Sequence, residues 1–112
     1  DIKPEAYAIA EASAYLWIPL LMKSELAVSR IPPIDLLFIY GDHSYEGVKK
    51  DWTLYEPKVR QNGLILFHDI LNTSIYPGIA KLINEEIRPQ WQRWECCTLP
   101  YGWGLTIIRK LW

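Results

Sequence analysis

Two short polar clusters carry residue types that could move protons or hold a ligand. In IYGDHSYEG, residues 39 to 47, an apolar run stops at Gly41 and gives way to Asp42, His43, Ser44, Tyr45 and Glu46. In LILFHDI, residues 64 to 70, a second apolar run stops at His68 and Asp69. Imidazole titrates near neutral pH, so His43 can serve as a general base. Asp69, at a strand end, can hold a metal or a cofactor. The same residues also suit plainer roles. His43 can sit in a turn, capping the next helix or hydrogen-bonded to Tyr45, and Asp69 can close a loop through an Asx turn. Glu46 suits the first turn of a helix, where its charge meets the dipole.

The elements that position these clusters are legible around them. Ile34, Leu36, Leu37, Phe38 and Ile39 form a nearly unbroken apolar run, as in a parallel-sheet strand covered on both faces. Val48, Trp52, Tyr55 and Val59 then recur at helical spacing, with Lys49, Lys50 and Glu56 outside and Pro57 at the fraying end. Asn62-Gly63 reads as a turn and residues 64 to 67 as a second buried strand. Residues 72 to 76 read as a loop. Pro77 starts a helix whose apolar face is Ile79, Leu82, Ile83 and Ile87, and Pro89 stops it. RWECCTL and GLTIIRKL are two final strands, joined through residues 100 to 103. Ahead of all this, Pro4 opens an alanine-rich helix to about Leu16. WIPLLM is a weak strand, and KSELAVSR a short helix ended by Pro32-Pro33. Such alternation gives an α/β fold: a mostly parallel sheet with right-handed crossovers, closed by a hairpin that brings in one antiparallel strand. Both clusters fall at the carboxyl rim, where ligands bind in such sheets.

The 112 residues make a single domain at most, spanning 1–112, and half of them are apolar, including six tryptophans. A net charge of -1 offers no electrostatic case for nucleic acid. No apolar stretch is long enough to span a bilayer, so no membrane partner is expected. The two cysteines are the neighbours Cys96 and Cys97, whose side chains would point to opposite faces of a strand. A reducing, cytoplasmic setting follows. Trp52 and Tyr55 fit the core, and Trp103 fits packing beside a strand or the border of a pocket. Arg88, Arg93 and Lys110 read as solvated. Trp17, Trp91, Trp94 and Trp112 are available to cover an oligomer surface.

IDLLFIYGDHSYEGVKKDW, NGLILFHDI, YPGIAKLINEEI and GWGLTIIRK together resemble the class I S-adenosylmethionine-dependent methyltransferases. The branch they resemble carries a D-G-D-H-S-Y-E-G-V turn and groups with cephalosporin-hydroxylase-like and sugar O-methyltransferase proteins. The resemblance runs from about residue 34 to 110. It implies a Rossmann-like sheet, S-adenosylmethionine as cofactor, and His43 as base toward a hydroxyl. It places Asp1 as the acid that meets the cofactor ribose, with Tyr40, Gly41 and Asp42 beside the cofactor. It also implies Mg2+ at His68 and Asp69. Here Tyr40 stands where the family's first metal acid is expected, and a phenol is a poor ligand for a hard cation. Nothing resembles the family's first strand and glycine-rich cofactor loop, so the chain reads as the C-terminal part of such an enzyme. Without that strand, the run at 34–40 would form an apolar sheet edge open to another chain, implying a homo-oligomer.

Three functions follow. The first is an O-directed methyltransferase acting on a small molecule or sugar, inactive as the isolated chain. The second is a non-catalytic methyltransferase-like fragment stabilised by oligomerisation. The third is a metal- or sugar-binding module built on His43, His68 and Asp69.

Overall fold

The computed structural model describes residues 20–112, and the chain divides into two compact units, Asp1–Ile31 and Pro32–Trp112. Asp1, the alanine-rich helix and Trp17 lie outside the described residues.

Within the first unit, helix α1 (Ser24–Ala27) runs into a 3-10 turn at Val28–Arg30, as the KSELAVSR pattern predicts. Residues 20–22, the described end of WIPLLM, are not a strand. There the Met22 N–H donates to the Leu20 carbonyl at 3.0 Å in a tight turn. Pro19 just before it removes a ladder donor, which favours that outcome.

The second unit holds a four-stranded sheet of β1 (Ile34–Ile39), β2 (Val59–His68), β3 (Trp94–Leu99) and β4 (Leu105–Lys110). Their order is β1-β2-β4-β3; β1 and β2 run parallel, while β4 is antiparallel to both its neighbours. This is the mixed α/β sheet expected, with β4 as the single reversed strand. Helix α2 (Tyr45–Tyr55) crosses from β1 to β2, and α3 (Pro77–Leu82) follows β2. A π turn at Ile83–Ile87 and a 3-10 turn at Arg88–Gln90 extend α3.

Period-two alternation decides what each strand buries. Ile65, Phe67 and Ile108 are fully buried and meet Val48, Ile79, Leu82, Ile83 and Ile87 from the helices in one core. All four residues of the expected α3 face are in that core. On the opposite face Leu36, Phe38 and Tyr40 are exposed, at 56%, 49% and 61%. Within this unit β1 is therefore covered on one face only, which corrects the reading of a strand covered on both. Among the described residues it also lies at the edge of the sheet.

Three further readings change. Val59 continues no helix face: α2 closes through a 3-10 turn at Glu56–Lys58 containing Pro57, and Val59 opens β2. Asn62-Gly63 is not a turn between elements. It lies inside β2, where the pairing jumps from Ile34↔Val59 to Leu36↔Leu64 and Asn62 takes φ 67°. Asn tolerates that left-handed backbone, so the pair makes a bulge. Trp94, read as a surface residue, is 4% exposed and packs against Trp52, ring centroids 5.1 Å apart.

Lys110 is likewise not solvated: it is 5% exposed. Alternation turns it to the helix side of β4, where its ammonium donates to the Glu56 carbonyl at 3.1 Å and lies 3.0 Å from Glu56 Oε1. A charge this buried persists only with such a partner. Arg93 stays exposed but lies over the Trp112 ring at 3.8 Å, and exposed Arg88 donates to Thr98 Oγ1. Cys96 and Cys97 are free thiols, and burial pushes the Cys96 thiol pKa up.

Candidate functional site

Parallel pairing of β1 with β2, in which Ile39 faces Phe67, brings the ends of the two strands to one rim. The chain leaves β1 through Tyr40-Gly41-Asp42-His43 and leaves β2 through His68-Asp69.

Backbone chemistry shapes the first turn. The Asp42 carboxylate accepts from the Ser44 N–H at 2.8 Å, which holds the Asp42 pKa below the usual carboxylate value. Ser44 is the N-cap of α2, its hydroxyl accepting from the Gly47 N–H at 3.1 Å. A Cβ on Gly47 would overlap the Asp42 carboxyl group, so only glycine lets the helix lie this close to the turn. Glu46 sits in the first turn of α2, as its placement near the dipole predicts. Ser44 takes the cap and the Tyr45 hydroxyl donates to Glu86, so neither plain role considered for His43 falls to it. Its Nε2 instead lies 3.1 Å from Asp69 Oδ2.

Asp69 has φ 63°, a conformation Asp adopts more readily than most residues. Its N–H donates to the Gly104 carbonyl and its carbonyl accepts from the Asn72 N–H, each at 3.1 Å. These anchors tie the end of β2 to the β3–β4 connection and fix the carboxylate, which is buried at 7% residue exposure. Its other oxygen, Oδ1, lies 2.8 Å from His68 Nδ1 without the alignment of a hydrogen bond. Asp69 thus stands between two imidazoles, bonded to one and touching the other. Its side chain does not serve an Asx turn.

Aromatic rings enclose His43. Tyr76 lies on it at 4.4 Å between centroids, and Tyr40 meets it edge-on at 5.4 Å. Tyr40 also tilts against His68 at 5.8 Å. Tyr76 precedes Pro77 and is held out of the helix, as the residue before a proline tends to be. His43 and Tyr76 share a cleft of about 530 Å³ with Asp42, Ser44, Tyr45, Ile75, Pro77, Gly78 and Lys81. That volume suits a small molecule.

The beginnings of α2 and α3 meet at this cleft. A Cβ on Gly78 would overlap the Tyr45 backbone nitrogen and lie 2.7 Å from the Ser44 carbonyl carbon. Farther along, the Tyr45 hydroxyl donates to Glu86 Oε1 at 2.6 Å, and Lys49 Nζ reaches the same oxygen at 2.7 Å. The carboxylate raises the pKa of both partners, and Lys49 first, then Tyr45, lower that of Glu86.

His43, His68, Asp69 and Tyr40 are brought together, and Gly41 and Asp42 adjoin them. Asp1 lies outside the described residues. Sequence reasoning missed Tyr76 and Lys81, and it offered Tyr45 only as a hydrogen-bond partner for His43. A serine just before a helical pattern signals an N-cap, so Ser44 was within its reach. The donor set does not fit a hard divalent cation. Among the described residues Asp69 is the one carboxylate facing the two histidines, Tyr40 supplies a phenol, and Asp42 is committed to Ser44. Among the described residues no group of three or more His, Cys, Asp or Glu side chains is disposed to hold a metal. No helix among them is long and apolar enough to cross a membrane. Trp103 is 58% exposed rather than packed beside the strand.

The fold has relatives among solved structures. A Corynebacterium glutamicum crystal structure matches 96% of the chain with a TM-score of 0.71 at 23% identity. A putative caffeoyl-CoA O-methyltransferase from Staphylococcus aureus matches 80% of it with a TM-score of 0.61 at 17% identity. An SAH-bound Podospora anserina methyltransferase matches 95% with a TM-score of 0.58 at 19% identity. At such identities these structures speak to the fold. The chain spans about half their length: 55%, 49% and 53%. An uncharacterized protein of Acanthamoeba polyphaga mimivirus is 38% identical over 52 residues, 46% of this chain and 24% of the viral one. The family model described as a methyltransferase domain matches residues 4–70, more than half of the chain. The chain therefore belongs to that methyltransferase family and has the class I methyltransferase fold.

Proposed function

We propose that this chain carries the acid–base part of an S-adenosylmethionine-dependent O-methyltransferase site that acts on a hydroxyl of a small molecule or sugar. The supporting observation is the 3.1 Å contact of His43 Nε2 with the buried Asp69 carboxylate, on the wall of the cleft. A carboxylate only accepts, so this contact is a hydrogen bond when the imidazole proton is on Nε2. Nδ1 then keeps its lone pair for the proton of an acceptor hydroxyl. Asp69 stabilises the imidazolium that results, and Tyr76 and Tyr40 hold the ring in place. S-adenosylmethionine, when bound, supplies an electrophilic methyl group. Tyr40, Gly41 and Asp42, exposed where the chain leaves β1, are described residues open to it. Asp42 contributes the shape of the turn, and Asp1 is proposed as its ribose partner on the resemblance alone. No step is assigned to Mg2+, which the donor set does not suit.

The test is transfer of labelled methyl from S-adenosylmethionine to a panel of hydroxylated small molecules and sugars. The chain alone is expected to be inactive; where the rest of the cofactor site is supplied with it, transfer is expected, with His43→Gln slowing it by roughly 10²–10⁴-fold, the usual share of a general base. Transfer unaffected by that substitution, or none to any acceptor with the cofactor site supplied, contradicts the reading.

The edge position of β1 favours a second property, association with another copy along that strand. Its exposed Leu36 and Phe38 would gain cover and its open backbone a partner.

A further inference from the structure

The cleft beside His43 bears on what kind of acceptor it takes. Its walls combine three kinds of chemistry. Tyr76, Ile75 and Pro77 offer an apolar and aromatic surface, with Ile75 64% exposed. His43 offers the base. Lys81 is the one lysine or arginine of the lining. Its ammonium lies 4.2 Å from the centre of the Tyr45 ring.

Four other cations of this unit are matched to carboxylates at short range. Lys49 meets Glu86, Arg60 meets Asp35, Arg109 meets Glu95 and Lys110 meets Glu56. Lys81 has no such ion pair among the described residues. Glu86, whose carboxylate feels the Lys81 charge, already takes both the Tyr45 hydroxyl and Lys49. The acid on the cleft lining, Asp42, is turned onto the Ser44 N–H and packed against Gly47. The Tyr45 ring is itself pinned by Glu86, so it holds Lys81 over its face on the cleft wall. A cation–π contact leaves the ammonium's outer hydrogens free to meet an anion.

We propose that the acceptor is a hydroxylated organic anion, bearing a carboxylate or phosphate, and that Lys81 is the residue that selects for that charge. This inference rests on the reading of His43 as the base of the same cleft. The acceptor's hydroxyl is directed to His43 and its flat or apolar body lies along Tyr76, Ile75 and Pro77. The ion pair with Lys81 adds affinity and sets orientation.

The experiment separates this from the methyltransferase reading, because it measures binding alone. The labelled chain is titrated by NMR with 4-hydroxybenzoate and with 4-hydroxybenzamide, which has the same outline and no charge. The benzoate is expected to bind about three- to tenfold more tightly, the range of one partly exposed ion pair, with shifts at His43 and Tyr76. Phenyl phosphate is expected to share the preference over neutral phenol. Lys81→Met should erase the preference and leave amide affinity unchanged, whereas Lys81→Arg should keep it. Equal affinity for anion and amide, a preference that survives Lys81→Met, or binding of neither compound overturns the proposal. If His43→Gln abolishes no methyl transfer while the charge preference persists, the base assignment fails and the anion site stands.

Discussion

Asp69 Oδ2 lies 3.1 Å from His43 Nε2 although the two residues are 26 positions apart and leave the ends of different strands. The contact depends on parallel pairing of β1 with β2, on Ser44 taking over the cap of α2, and on the left-handed backbone of Asp69. Each is a local choice of the chain, and together they aim one imidazole at one carboxylate. The consequences below test these supports separately.

Gly78 sets the distance between the starts of α2 and α3. With a methyl group there, the Ser44 and Tyr45 backbone must move, and backbone yields less easily than a side chain. Gly78→Ala is expected to cost about 1–3 kcal/mol by urea unfolding, the usual penalty of overpacking. It should also shift His43 and Tyr76 resonances. An alanine variant as stable as the parent would show that the helices do not meet there.

Lys110 and Glu56 join the end of α2 to β4 in a buried pair. Removing one partner strands the other charge, so Lys110→Met should lower stability by roughly 3 kcal/mol. The double variant Lys110→Met with Glu56→Gln should recover part of that loss. Additive losses in the double-mutant cycle would mean that the charges do not interact.

The Tyr45, Lys49 and Glu86 cluster gives stability a defined dependence on pH. Glu86 has its pKa lowered from 4.5, so its contribution is present above that value and is lost as pH falls through the lowered one. Tyr45 and Lys49 have theirs raised from 10.0 and 10.5, so their contribution is present below those values and is lost as pH rises through the raised ones. The groups face solvent, so the effect is small. The difference in urea midpoint between parent and Glu86→Gln should be flat near neutrality and shrink at both extremes. A difference that grows in acid would reverse the assigned sign.

The open edge of β1 should drive self-association. Phe38 is half exposed, so Phe38→Lys costs the fold little while placing a charge on the edge. Sedimentation velocity is expected to show a concentration-dependent oligomer for the parent and a shift toward monomer for the variant. A parent that is monomeric at every concentration would remove the basis for edge pairing.

Much of this architecture was readable from local pattern. The runs at 34–39 and 64–67, the α3 face and the final hairpin all announce themselves by periodicity, because burial on one side imposes a repeat of two or 3.6. Both polar clusters could be placed on one rim for the same reason. What escaped depends on distant partners. Lys110 looks like any solvated lysine until Glu56, 54 positions away, is folded beside it. Asn62-Gly63 has the chemistry of a hairpin turn, yet the same left-handed residue also builds a bulge, and only the partner strand decides between them. Tyr76 and Lys81 carry no local signal, since their place in the cleft is set by the docking of α3 on α2. The pairing of His43 with Asp69 was likewise beyond periodicity: the sequence supplied two candidates but not their contact.

That contact is tested most directly by long-range 15N–1H NMR of the histidine rings, with and without Asp69→Asn. Asparagine also tolerates the backbone of position 69, so the fold should persist. In the parent at neutral pH, neutral His43 is expected to carry its proton on Nε2 and leave Nδ1 unprotonated. In the variant that preference should weaken, as Nε2 loses its carboxylate acceptor. A His43 protonated on Nδ1 in the parent, or a tautomer preference indifferent to Asp69→Asn, would contradict the account.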